Sequence, residues 1–144
     1  MKDAFWVERF VQAYSQLGTD NLHLLKDVYH ANVVFCDPMH RVEGIWALLD
    51  YFDHMYSHVT RCDFDIERVF HDGDQAAVYW TMTYEHERLN GKQPIEVQGH
   101  SHIRMKDDRV VFHRDYLDVG AMLYEHIPLI GSVVKTIKRR ASQV

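Results

Sequence analysis

An aspartate before a proline, Asp37-Pro38, closes the apolar run Val33-Val34-Phe35-Cys36. Proline has no N–H to give a central ladder, so a strand ending on this pair must turn there. A carboxylate held at such a corner can take a proton from a ligand in an adjoining pocket. It can equally do no more than shape the turn, since Asp and Pro are both ordinary turn residues. His113 and Asp115, two apart, set an imidazole and an acid on one face of any strand that carries them. His100 and His102 share that spacing, which is compatible with zinc. No third ligand accompanies them and eleven histidines make chance pairs common, so no metal is expected. Cys36 and Cys62 read as small buried hydrophobes with free thiols rather than a disulfide framework.

The elements that must position these groups follow from hydrophobic period. Trp6, Phe10, Tyr14 and Leu17 place a helix over 3–17, stopped by Gly18. Leu22, Leu25, Val28 and Tyr29 suggest a second helix, about 20–30, before the strand that ends at Asp37. Ile45, Leu48, Leu49, Phe52, Met55 and Tyr56 give the strongest helix, 44–58. From Thr60 the period becomes two, with Cys62, Phe64 and Ile66 on one side and a slip at Arg68-Val69-Phe70 that predicts a bulge. Turns at His71-Asp72-Gly73-Asp74, Leu89-Asn90-Gly91-Lys92 and Asp107-Asp108 separate strands over about 75–88, 94–106 and 109–118. Ala76, Val78, Trp80, Met82 and Tyr84 share one face of the first of these. In the next, Ile95, Val97, Gly99, Ser101, Ile103 and Met105 oppose Glu96, Gln98, His100, His102 and Arg104. A helical tail, about 120–141, is interrupted near Pro128 and Gly131.

This order predicts an α+β fold: a curved, mostly antiparallel sheet wrapped around three N-terminal helices, with a C-terminal helical tail. The expected organisation is a domain over 1–120 and a helical extension over 121–144 packed on it. The 144 residues, 47% hydrophobic and 26% charged, suit one soluble globular domain with a real core. A net charge of −5 argues against a nucleic-acid partner. No signal-like or membrane-spanning apolar run is present, and a cytoplasmic location is expected.

Four segments together resemble the NTF2-like superfamily of ketosteroid isomerases, SnoaL-like cyclases and limonene-epoxide hydrolases. They are Phe10-Val11-Gln12-Ala13-Tyr14, Phe35-Cys36-Asp37-Pro38, Arg41-Val42-Glu43-Gly44 and Val110-Val111-Phe112-His113-Arg114-Asp115-Tyr116. The resemblance covers residues 3 to about 120 and implies a cone with a ligand pocket in its mouth. It also implies roles. Asp37 matches the isomerase base and Tyr14 the first-helix tyrosine that donates to a developing oxyanion. Where that family keeps a protonated aspartic acid as second donor, Ser101 stands here, a weaker donor that departs from the isomerase pattern. Asp115 resembles the pocket aspartate of the cyclases and hydrolases. The arginine and second aspartate of the epoxide hydrolases have no clear match; Glu85, Glu87 and Arg88 are the nearest groups. The superfold hosts enzymes, binding proteins and structural subunits, so the resemblance leaves open whether this chain is an enzyme.

Pleat parity yields the same cavity. If Asp115 faces inward, so do Val111, His113 and Leu117; if Ser101 does, so do Gly99 and Ile103. The expected site holds Asp37 and Asp115 as alternative bases, His113 as tuning or relaying group, and Tyr14 and Ser101 as donors. Trp80, Met82, Tyr84 and Ile103 supply the apolar wall, and His40 the mouth. Plainer readings stand beside these: Tyr14 as a core residue, and Asp115 in a salt bridge with Arg41 or Arg114. The partner expected is a small, mostly apolar carbonyl or epoxide compound, and acid–base groups alone need no cofactor. The alternatives are a non-catalytic binding module and an interaction protein. The resemblance also implies a homodimer through the convex sheet face, where His100, His102 and Arg104 would lie. The tail, Pro128 to Arg140, is apolar and then basic. A helix packed on the domain is the preferred reading; peripheral contact with an anionic membrane is the alternative.

Overall fold

A computed structural model describes residues 2–143. Helix α1 (Lys2–Gln16) is followed by a 3₁₀ turn (Leu22–Asp27), strand β1 (Tyr29–Cys36), a short β2 (Arg41–Glu43) and helix α2 (Ile45–Tyr56). Four long strands come next: β3 (Val59–Asp72), β4 (Gln75–His86), β5 (Ile95–Lys106) and β6 (Arg109–Leu117). The chain ends in α3 (Val119–Met122), a 3₁₀ turn (Tyr124–His126) and α4 (Ile130–Ala141). One six-stranded sheet runs in the order β2-β1-β6-β5-β4-β3. Every pairing is antiparallel except β1 with β6.

The alternation in β4 and β5 sets the two sheet faces. Ala76, Val78, Trp80 and Tyr84, with Ile95, Val97, Ser101 and Ile103, are buried. Ala76, Val78, Trp80 and Ile103 cluster with Trp6, Phe10, Tyr14, Leu48 and Phe52 from α1 and α2, while Tyr84, Ile95 and Val97 form a second cluster with Cys62. The expected bulge in β3 is a register shift between Ile66 and Arg68. The Asp107-Asp108 turn puts both residues at positive φ, 53° and 60°, a backbone that matches the twist of a tight hairpin. Among the described residues no helix is long and apolar enough to cross a membrane.

Three local expectations change. The second helix shrinks to the 3₁₀ turn, and Tyr29 to Asn32 join β1 instead. The cause is a neighbour distant in sequence: the Val110 N–H donates to the Val28 carbonyl, and Tyr29 pairs with Val110 in the parallel ladder. Residues 41–43, for which the sequence predicts no strand, form an edge strand on β1. In β6 a register shift opposite Arg104 and Met105 lets Val110, not Val111, enter the core, while His113, Asp115 and Leu117 keep the expected parity.

Candidate active site

The corner after β1 is a tight turn. The Asp37 N–H donates to the His40 carbonyl at 3.0 Å, closing the hairpin into β2. Asp37 Oδ1 accepts from the backbone N–H groups of Met39 (2.8 Å) and His40 (2.7 Å), while Oδ2 accepts from the Tyr51 hydroxyl. Both oxygens of this carboxylate are therefore engaged. His40 Nδ1 sits 3.4 Å from Asp37 Oδ1 and 3.2 Å from Tyr51 Oη.

Asp115 is held differently. Its Oδ1 receives His113 Nε2 at 2.6 Å and the Ser101 hydroxyl at 2.6 Å. Its Oδ2 makes no hydrogen bond among the described residues. β5 and β6 set Ser101 opposite Asp115 in register, and pleat parity sets His113 beside it. The Trp80 indole N–H donates to Ser101 Oγ at 2.9 Å. On the other side, His113 Nδ1 lies 2.7 Å from Tyr29 Oη, and Tyr29 Oη lies 2.5 Å from Tyr14 Oη.

The directions of these bonds follow from donor chemistry. An ionised carboxylate only accepts, so His113 points Nε2–H at Asp115. With the ring in its neutral form, Nδ1 accepts from Tyr29, whose oxygen accepts from Tyr14. Tyrosine can supply those protons at any ordinary pH. Burial, and then the negative charge of Asp115, push the Tyr14 hydroxyl far above its usual range. Burial, and then Tyr14, do the same for Tyr29. Two donor chains thus converge on Asp115 Oδ1, one from Tyr14 through Tyr29 and His113, the other from Trp80 through Ser101. His113 is 1% exposed, and a buried imidazole is tolerable because both nitrogens are bonded.

Asp115 borders an open space. A chamber of about 80 Å³ is lined by Tyr14, Phe35, Asp37, Trp80, Asp115 and neighbouring apolar groups. It adjoins an outer groove of about 420 Å³ that takes in His40, Tyr51, Cys62 and Tyr84. Met39, Met55, Tyr56, Met82 and Met122 border both spaces. Unbranched thioethers adapt to different occupants, so this boundary is deformable. The Tyr56 hydroxyl faces only Cys62 Sγ at 3.7 Å, a weak acceptor. Burial pushes the Cys62 thiol up to about 11.

The expected residues therefore divide. Tyr14, Asp37, Trp80, Met82 and Asp115 line the inner chamber, and Met82, Tyr84 and His40 line the outer groove. Ser101 and His113 bond to Asp115 from the wall behind, and Ile103 lies fully buried in the core, lining neither space. Asp115 pairs with neither Arg41, which bonds Glu43, nor Arg114, which lies over the Tyr116 ring. His100 stacks between Tyr79 and Tyr116, and His102 Nε2 meets Gln75 Oε1 at 2.8 Å. No group of three or more metal-ligating side chains converges among the described residues. Tyr29, Tyr51 and Tyr56 are the site residues that sequence reading passed over. Tyr29 and Tyr56 counted there as apolar stripe positions, and Tyr51 stood off the stripe altogether.

A curved sheet folded over α1 and α2, with polar groups gathered at its open end, is the NTF2-like architecture. The profile of the SnoaL-like domain matches residues 7–113, and the chain belongs to that family. Solved structures agree on the fold. An NTF2-like protein of unknown function from Burkholderia pseudomallei aligns with a TM-score of 0.73 at 13% identity, over 82% of this chain and 94% of its own. A SnoaL-like protein from Jannaschia sp. CCS1, provisionally described as a polyketide cyclase, gives 0.72 at 16% identity, over 82% and 88%. A protein of ketosteroid isomerase-like fold from Catenulispora acidiphila, solved with trimethylamine, gives 0.71 at 13%, over 83% and 89%. No curated protein matches the sequence.

Proposed function

We propose that this SnoaL-like protein binds a small, mostly apolar carbonyl or epoxide compound and acts on it by proton transfer, without a cofactor. The observation that carries the reading is Asp115. It is a carboxylate on a largely apolar chamber with one oxygen fixed by His113 and Ser101 and the other unbonded. A base needs a free lone pair aimed at its substrate, and Oδ2 has one. Asp37 spends its oxygens on two backbone N–H groups and Tyr51, so the assignment favours Asp115 as base and Asp37 as the residue that shapes the corner.

In an isomerisation or cyclisation, Asp115 Oδ2 takes the proton from the carbon beside the carbonyl. His113 and Ser101 orient the carboxylate. Negative charge then grows on the carbonyl oxygen and needs a donor. Ser101 donates to Asp115 and Tyr14 to Tyr29, so Tyr56 is the better-placed hydroxyl: it borders both spaces and gives up only a thiol contact. The proton returns from Asp115 to the new position. With an epoxide, Asp115 instead draws a proton from the attacking water while a hydroxyl protonates the opening oxygen.

The test is α-proton exchange of small cyclic ketones in D₂O, and ring opening of aryl epoxides, both followed by NMR. Asp115→Asn is expected to lower the rate by about 10²- to 10⁴-fold, the usual share of a general base, while ligand binding persists. Asp37→Asn is expected to act mainly through stability. Full activity in Asp115→Asn would sink the assignment. Retained binding with no turnover in wild type would favour a binding module of the same pocket.

We also propose that two copies pair through the convex sheet face. Phe70, Tyr79, His100 and Tyr116 form a continuous aromatic ladder there, crossing β3 to β6, with Arg114 over its end. Phe70, Tyr79 and Tyr116 are exposed in the single chain. A row of exposed rings on a regular sheet is the kind of patch that partners cover.

A further inference from the structure

The last helix turns its apolar side outward. In α4, Ile130, Val133 and Ile137 follow at spacings of three and four and make one stripe. They are 52%, 57% and 61% exposed, and Leu129 just before them is 87% exposed. Leu129 also holds a φ of 70°, a left-handed conformation that is costly for a bulky side chain. The helix is nevertheless fixed to the domain, by its other side. Gly131 lies against the turn below it: a Cβ there would come within 2.3 Å of the Glu125 carbonyl oxygen. Lys138 Nζ bonds Asp118 Oδ2 at 2.6 Å and Glu125 Oε2 at 3.0 Å. The side that seats carries Gly131, Val134 and Lys138, while the longer apolar stripe is left exposed, which departs from the arrangement expected of a packed tail.

Charge indicates what covers the stripe. Residues 128–144 contain Lys135, Lys138, Arg139 and Arg140 and no acid, in a chain of net charge −5. By helical geometry Lys138 and Arg140 flank the stripe on opposite sides. Lys135, Arg139 and Arg140 make no ion pair among the described residues. Asp118 and Glu125, the acids facing α4, are both taken by Lys138. An apolar stripe edged by the unpaired Arg140, on a helix with two further unpaired cations, fits the headgroup region of an anionic bilayer. A second copy of the helix would satisfy the stripe but would bring like charges together.

We propose that α4 is an interfacial anchor. Leu129, Ile130, Val133 and Ile137 enter the outer layer of an anionic membrane, Arg140 at the edge of the stripe meets lipid phosphates, and Lys135 and Arg139 add to the attraction from the far side of the helix. The first turn of α4 also borders a groove with Arg88 and Asn90, which flank Leu89 of the outer ligand groove. Docking therefore sets the mouth of the pocket beside the bilayer, and the ligand class becomes apolar compounds dissolved in lipid. That last step rests on the function proposed above; the docking itself does not.

The experiment is cosedimentation of the whole chain with vesicles of phosphatidylglycerol and phosphatidylcholine in equal parts, against phosphatidylcholine alone. Wild type is expected to bind the anionic vesicles at low salt, to leave them as salt rises, and to ignore the neutral ones. Val133→Ser with Ile137→Ser should weaken binding on the order of tenfold or more, because the buried apolar area is gone. Lys135→Gln with Arg140→Gln should weaken it roughly 25-fold and flatten the salt dependence, at about fivefold per cation. All four residues are exposed, so unfolding is not expected to confuse the result; a thermal melt checks this. Absence of wild-type binding to anionic vesicles at low salt overturns the proposal. So does binding unchanged by either variant, or light scattering that shows a dimer split by Ile137→Ser in a protein that ignores vesicles.

Discussion

At the scale of single residues, the site is one carboxylate with its neighbours arranged around it. Tyr29 is the link that joins Tyr14 to His113. Tyr29→Phe removes one hydroxyl and leaves both partners short of a buried bond, at a cost of about 1–3 kcal/mol, to be read from the urea midpoint. Cys62 offers a pH test. Burial raises its thiol from 9.0 to about 11, so the folded state favours the neutral form. That contribution is complete below pH 9 and fades as pH climbs toward 11. Urea midpoints of wild type are expected to fall over that window more steeply than those of Cys62→Ala.

At the scale of elements, β4, β5 and β6 make the pocket because their register is locked. Trp80 pairs with Gly99, and its ring lies across the glycine. A Cβ at Gly99 would meet the indole at 2.4 Å and the Tyr116 carbonyl oxygen at 2.8 Å. Gly99→Ala must therefore move Trp80, which lines the inner chamber and holds Ser101. The expected loss is about 1–3 kcal/mol of stability, with a shift in tryptophan fluorescence and weaker ligand binding. The expected slip in β3 became a real bulge, but the second slip, in β6, had no sequence sign. Val110 and Val111 are the same residue type, and only pairing with β5 decides which one enters the core.

At the scale of the molecule, the two proposed contacts lie on different surfaces, the convex sheet face and the outer side of α4. Light scattering is expected to report a dimer for wild type and a monomer for Tyr79→Lys with Tyr116→Lys, without change in pocket binding. A wild-type monomer at high concentration would remove the pairing proposal and leave the pocket reading untouched. The inner chamber of about 80 Å³ holds little more than a reacting group, so the remainder of a ligand must lie in the larger groove. On the function proposed above, specificity would belong to the methionine boundary between them, where flexible side chains accept several shapes.

The sequence by itself determined the class of fold, because strict alternation in β4 and β5 leaves one way to bury Trp80, Val97 and Ile103 together. It set His113 and Asp115 on one side of their strand, since parity is local; the register of β5 on β6 added Ser101. It also marked Asp37-Pro38 as a corner. Only the tertiary structure decided which carboxylate is free. Hydrogen-bond saturation of Asp37 depends on Tyr51 from α2 and on the turn backbone, and neither is visible as a pattern. Tyr29 read as a helix residue because its strand partner lies some eighty positions away. The outward side of α4 was likewise beyond reach: period shows that a helix has an apolar stripe, whereas Gly131 and Lys138, by seating on the turn beneath, decide where that stripe points.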